Sequence, residues 1–280
     1  MRPLFLGLFC VGCSAAPVAE APSPNAAGGS GGGAPPAGAS ADGGADVGGA
    51  VDATSPPPDL RVLFVGNSYT FVNDLPKELA TLAATPGAAP RITTQMIAPG
   101  GATLASHWNG AEAKPAIAKG GFSHVVFQGQ SVEPLLQPAV FEDYALKFGA
   151  SATAAGAVPA YFETWARAPG DAVYAETWSG GTPSAMQDGL SSEYQKMATA
   201  SKGLLVKVGE AWRVALRDHP SIVLHHSDGS HPSAAGTLLA VYTFYTALTG
   251  RDVPRAAAVP RGVAPADASA LRAVAEAVAR

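Results

Sequence analysis

Two short segments contain the residue types that acyl-transfer chemistry requires. The first is Gly66-Asn67-Ser68, directly after the apolar run Val62-Leu63-Phe64-Val65, and the second, far downstream, is Asp228-Gly229-Ser230-His231-Pro232. A serine hydroxyl is a weak nucleophile until a base takes its proton, and a histidine base works best when a carboxylate fixes its tautomer and stabilises its charged form. Ser68, His231 and Asp228 supply those three groups. Each also has a structural use, since a serine after a strand often caps a helix and an aspartate can close a turn ahead of one. Their occurrence together favours the chemical reading.

The same downstream segment offers a competing chemistry, because His225, His226, Asp228 and His231 are all metal-ligand types within seven residues. Adjacent histidines in extended chain point to opposite faces, so at most one of His225 and His226 can join His231. A metal-dependent hydrolase is therefore the less favoured reading.

The Gly66-Asn67-Ser68 block after a first strand, with Asp228 three residues ahead of His231 and before a late helix, resembles the SGNH (GDSL-type) hydrolase superfamily. Gly100-Gly101-Ala102-Thr103, after the strand-like run 91–97, matches that family's second block, a glycine behind the second strand. The third block is normally Gly-x-Asn-Asp; here the chain reads Gln128-Gly129-Gln130-Ser131, without the asparagine. The resemblance covers residues 60–250. It implies a three-layer α/β/α sandwich with a mostly parallel, flavodoxin-like sheet. It also implies a serine esterase that hydrolyses carboxylic esters through Ser68, His231 and Asp228, without a cofactor. The oxyanion donors carried over are the backbone N–H groups of Ser68 and Gly101 and a side-chain amide, assigned to Gln130 with Gln128 as the alternative. A small-molecule or glycan ester is the expected substrate, O-acetylated carbohydrate among them. The altered third block leaves a second expectation, a surface binding protein that keeps the fold with little or no activity.

The elements that must position these blocks are legible as apolar runs alternating with helical patterns, the βαβ signature of a parallel sheet covered on both faces. Strands are expected at 62–65, 92–97, 124–127, 158–162 and 204–208, and helices at 75–84, 104–118, 139–154, 210–218 and 234–249. Ser68, Gly101 and Gln130 then each follow a strand, and in such sheets reactive loops gather at the C-terminal strand ends. Residues 166–202 are the least periodic, an excursion expected to lie over the same edge before a helix containing Tyr194 and Met197. Thr164 and Trp165 after the fourth strand, and Glu210 and Trp212 near the end of the fifth, are open to a pocket or a packing role, packing being the commoner use of a Trp. Leu271, Val274, Ala275 and Val278 mark a packing helix near the C-terminus.

The N-terminal region reads differently. Met1-Arg2 and the short apolar stretch up to Val11-Gly12-Cys13 look like a signal peptide ending in a lipobox, with Cys13 as the lipidated residue. Residues 14–57 are dominated by Ala, Gly, Pro and Ser, with no aromatic residue and no Lys or Arg, a composition that cannot offset its ordering entropy and predicts a flexible tether. The domains expected are thus 1–13 leader, 14–57 tether and 58–280 hydrolase-like domain, exported and held at the cell envelope, with membrane contact only through Cys13. Both cysteines lie in the leader, so the remainder contains no disulfide. A formal net charge of -4, from 18 basic and 22 acidic residues without a basic cluster, argues against nucleic acid as a partner.

Overall fold

The structure, a computed structural model, describes residues 59–280. The leader, Cys13 and the tether lie outside the described residues.

Five strands form one all-parallel sheet: β1 (Leu60–Val65), β2 (Ile92–Ile97), β3 (His124–Phe127), β4 (Val158–Phe162) and β5 (Leu204–Val206). Their spatial order is β2-β1-β3-β4-β5. The chain winds outward from β1 to β2 and then in the other direction from β3 onward, which places a topological switch point at the C-terminal ends of β1 and β3. The ten helices described are α1 (Ser68–Phe71), α2 (Leu75–Ala83), α3 (Leu104–Asn109), α4 (Ala113–Lys119), α5 (Glu133–Leu136), α6 (Pro138–Ala154), α7 (Pro183–Ala200), α8 (Val208–Asp218), α9 (Ala234–Thr249) and α10 (Pro265–Val278).

Side-chain alternation along the strands builds two cores. From β1, Val62 and Phe64 join Val126, Phe162 and Val206 against α2, α8, α9 and α10. Leu63 and Val65 face the other way, with Val125, Phe127 and Tyr161, against α3, α4, α6 and α7. The result is the expected three-layer sandwich. Helix α9 is apolar nearly all round because it lies between the sheet and α10, and so is covered on both sides.

Two regions differ from expectation by more than a residue or two at a single end. The helix expected over 104–118 is two, α3 and α4, because Asn109-Gly110 ends the first with Gly110 N–H bonding the Ser106 carbonyl. The apolar period runs on across the break since Leu104, Ala113 and Ile117 all enter the same core. The strand expected over 204–208 stops at Val206, and α8 begins at Val208 instead of residue 210. Val208, Ala211, Trp212 and Ala215 are buried at helical spacing, which outweighs the β-branched preference of Val208.

Candidate active site

Parallel strands bring the C-terminal ends of β1, β2 and β3 to one edge, and the three sequence blocks meet there. Behind β1, Gly66 turns the chain where a Cβ would lie only 2.5 Å from Thr70 Oγ1 and 2.7 Å from Gln128 Oε1, so this position requires glycine. Asn67 caps α1, its Oδ1 accepting from Tyr69 N–H at 3.1 Å, while its Nδ2 donates to the Ala102 carbonyl at 3.0 Å. Asn67 thus both stabilises the nucleophile turn and holds the second block. Ser68 is the first residue of α1, and its backbone N–H has no acceptor among the described residues.

The downstream segment is a tight turn closed by His226 N–H to the His231 carbonyl at 2.7 Å and Gly229 N–H to the His226 carbonyl at 3.0 Å. Asp228 Oδ1 accepts from Ser230 N–H and His231 N–H, each at 2.9 Å, and its Oδ2 lies 2.6 Å from His231 Nδ1. His231 Nε2 in turn lies 2.8 Å from Ser68 Oγ. With Nδ1–H donating to the carboxylate, Nε2 presents its lone pair to the serine. Partial burial opposes ionisation of Asp228, but the bonds from the His231 ring and from the two backbone N–H groups outweigh it, holding its carboxyl well below the usual carboxylate range. The three residues first singled out in the sequence therefore form one hydrogen-bonded relay, in which an imidazole can take the serine proton while a carboxylate supports the charge.

The same open cavity of about 460 Å³ is lined by Ser68, His231, Gly101, Gln130, Ser131 and Arg167. Gly101 has φ +70° and a backbone N–H without an acceptor among the described residues. Gln130 Oε1 accepts from Val132 N–H at 2.9 Å, which steadies the amide, and its Nε2 has no acceptor among the described residues. Gln128, the alternative, does not line this cavity. It continues the β3 ladder, with N–H to the Val65 carbonyl at 2.9 Å, and its side chain is buried beneath the nucleophile turn. There Oε1 accepts from Asn67 N–H and Thr70 Oγ1, and Nε2 bonds the Gly129 carbonyl. Of the other histidines in the metal-ligand reading, His225 donates from Nε2 to the Ala166 carbonyl at 2.9 Å and His226 Nδ1 lies 3.8 Å from Asp228 Oδ2. Among the described residues no group of three His, Cys, Asp or Glu side chains converges as metal ligands.

No protein-family profile matches the chain, and no curated protein does. Solved structures do. A protein from Slackia heliotrinireducens assigned as an SGNH hydrolase is 30% identical, with a TM-score of 0.57, over 67% of this chain and 97% of its own length. The chain belongs to the SGNH hydrolase superfamily. Two other similar structures share the fold at lower identity. A DUF4886 family protein from Bacteroides uniformis is 20% identical over 78% of this chain and 94% of its own, with a TM-score of 0.61. An acetyl xylan esterase from Geobacillus stearothermophilus is 13% identical over 66% and 92%, with a TM-score of 0.50.

Several residues hold the SGNH site together in ways the sequence did not mark. Tyr69 stacks on Trp165, with ring centroids 4.5 Å apart and planes at 3°, and Trp165 stacks on Trp212 at 4.1 Å and 6°. Trp165 Nε1 donates to the Ser230 carbonyl at 2.9 Å, and the Tyr69 hydroxyl pairs with Ser230 Oγ at 2.9 Å. This stack links the nucleophile turn, the end of β4, helix α8 and the Asp228–His231 turn. His107 Nε2–H donates to the Gly66 carbonyl at 2.7 Å; burial pushes its pKa down, keeping it neutral. Asn73, in the left-handed region at φ 55°, donates from Nδ2 to the Pro232 carbonyl at 3.1 Å and to Thr237 Oγ1 at 2.9 Å. The 166–202 excursion does reach the site, where Ala168 N–H bonds the Gly229 carbonyl and Arg167 enters the cavity.

Glu163, one residue beyond β4, is buried behind the stack. Its Oε1 accepts from Gln187 Nε2 at 3.1 Å, Ser191 Oγ at 2.9 Å and Glu210 N–H at 2.8 Å. Desolvation outweighs these bonds and, with the Glu210 carboxylate adding and Arg213 subtracting, pushes its pKa up from 4.5 to about 7. A carboxyl raised on folding holds a proton that the unfolded chain releases, so stability falls as pH rises from the unfolded to the folded value. The loss across that window is about 3 kcal/mol. Glu163→Gln is expected to remove most of it, shrinking the difference in urea-unfolding free energy between about pH 5 and pH 8. An unchanged difference would show that Glu163 is not the group responsible.

Proposed function

We propose that the chain is a serine esterase that hydrolyses short-acyl carboxylic esters. The observation that carries the reading is the continuous relay from Asp228 through His231 to Ser68 Oγ, opening onto a cavity. Ser68 Oγ attacks the ester carbonyl carbon as its proton passes to His231 Nε2, and the Asp228 carboxylate stabilises the imidazolium. The carbonyl oxygen becomes an oxyanion facing the backbone N–H groups of Ser68 and Gly101 and the Gln130 amide. Collapse returns the proton from His231 to the leaving alcohol, giving an acyl-serine. Water repeats the sequence with His231 as base and releases the acid and free Ser68.

The acyl-length preference follows from the cavity lining. Tyr69 is the one large aromatic or aliphatic side chain among the residues that line it, so a long acyl chain would find little apolar surface to bury against. O-acetyl groups on carbohydrate suit such an open, polar site, and the acetyl xylan esterase that shares the fold acts on substrates of that kind. A panel of para-nitrophenyl esters tests this. The expectation is a kcat/KM for acetate at least about tenfold above that for decanoate, a gap of about 1.4 kcal/mol in barrier; a maximum at decanoate would contradict it. Gln130→Ala is expected to lower kcat about a hundredfold with KM little changed, as for a group that bonds mainly the transition state. Wild-type kcat in that variant would remove Gln130 from the oxyanion hole.

A further inference from the structure

Arg167 is a charged residue of the cavity for which the relay has no use. It lines the space above Ser68, and it also borders an adjoining cavity of about 580 Å³ floored by Trp165 and Trp212. Its Nη2 donates to Ser131 Oγ at 2.8 Å. Its Nε is enclosed and without an acceptor. Among the described residues no carboxylate lies within 4.0 Å of the guanidinium. The other charged residues around Ser68 do not neutralise it, because Asp228 is committed to His231. A guanidinium carries five donors in a fixed fork; the bond to Ser131 occupies one and the enclosed Nε–H is closed to a substrate, which leaves three on Nη1 and Nη2. A neutral glutamine could make that bond without the desolvation cost of a cation lacking a partner.

We infer that Arg167 selects for substrates carrying a carboxylate on the ester, which the guanidinium receives while the acyl carbon sits at Ser68. The inference rests on the reading of Ser68 as nucleophile. An anion held there gains charge-assisted, bidentate hydrogen bonds, the geometry in which arginine surpasses lysine. The carboxylate could belong to the alcohol, as in an acetylated acidic sugar, or to the acyl group, as in a dicarboxylic monoester.

Paired esters that differ only in charge separate these cases on the full-length chain. On the alcohol side the pair is meta-acetoxybenzoate and meta-acetoxybenzamide. On the acyl side it is the para-nitrophenyl monoesters of terephthalic and terephthalamic acids. The wild type is expected to favour the anionic member of one pair by about tenfold or more in kcat/KM, with the preference shrinking as KCl is added. Arg167→Gln should bring the ratio to within about twofold, and Arg167→Lys should keep part of it. Because each ratio is taken within one variant, a lower folded fraction cancels. Equal rates in both pairs for the wild type, or a preference surviving Arg167→Gln, would overturn the inference. If Ser68 still reacts with a fluorophosphonate in that case, only the role of Arg167 falls. If Ser68 does not react and none of the esters is cleaved, the esterase reading itself falls, and this inference with it.

Discussion

Ser68→Ala is expected to lower kcat for ester hydrolysis by a factor on the order of ten-thousand-fold or more, and His231→Ala by a similar factor, without unfolding the chain. Ser68 Oγ and His231 Nε2 are 2.8 Å apart and make one step together, so removing either abolishes the same event. The double variant should therefore cost little more than the worse single one. Losses that multiply would mean that the two residues act independently. Asp228→Asn should be milder than either, because the turn and the ring position persist while the charge partner of the imidazolium is lost. Its backbone bonds from Ser230 and His231 can still be accepted by an amide oxygen.

Trp165→Ala is the largest expected effect on stability, about 3 to 5 kcal/mol for deleting a buried tryptophan. The ring is buried between Tyr69 and Trp212, and its Nε1 satisfies the Ser230 carbonyl beside His231. For a domain of this size that cost corresponds to a fall of roughly 10 °C in Tm. Trp165→Phe separates packing from positioning, since it keeps an aromatic ring in the stack and removes the hydrogen bond to Ser230. It should lower kcat more than it raises KM, because the turn that carries His231 loses a support while the lining of the cavity at Ser68 is unchanged. A Trp165→Ala chain with wild-type Tm and kcat would show that the stack neither supports the fold nor positions the turn.

The relay was legible because its members sit at strand ends and turns that leave local marks. Ser68 follows a four-residue apolar run, and Asp228 and His231 share one turn ahead of the capped helix α9. The central strands were legible for a related reason, since β1, β3 and β4 each carry a run of buried apolar residues, whereas β2, largely open along Thr93–Met96, is marked only by its β-branched Ile and Thr residues. The Gln128 and Gln130 alternative was not decidable, because it depends on which residue continues the β3 ladder alongside Val65, a register that only the folded sheet defines. Trp165 and Trp212 read only as pocket or packing residues, and their stacking on Tyr69 was not legible, since the stack joins separate segments whose spacing carries no period. Arg167 lies in the least periodic stretch of the chain, where only the folded excursion reveals that it returns to the cavity.

The most direct test of the central claim is to treat the full-length chain with a fluorophosphonate and map the adduct by peptide mass spectrometry. One phosphonyl group per chain is expected, on Ser68, absent in Ser68→Ala and formed far more slowly in His231→Ala. Labelling at a different residue, or ester hydrolysis at the wild-type rate in Ser68→Ala, would contradict the account and return the histidines of the 225–231 segment to consideration.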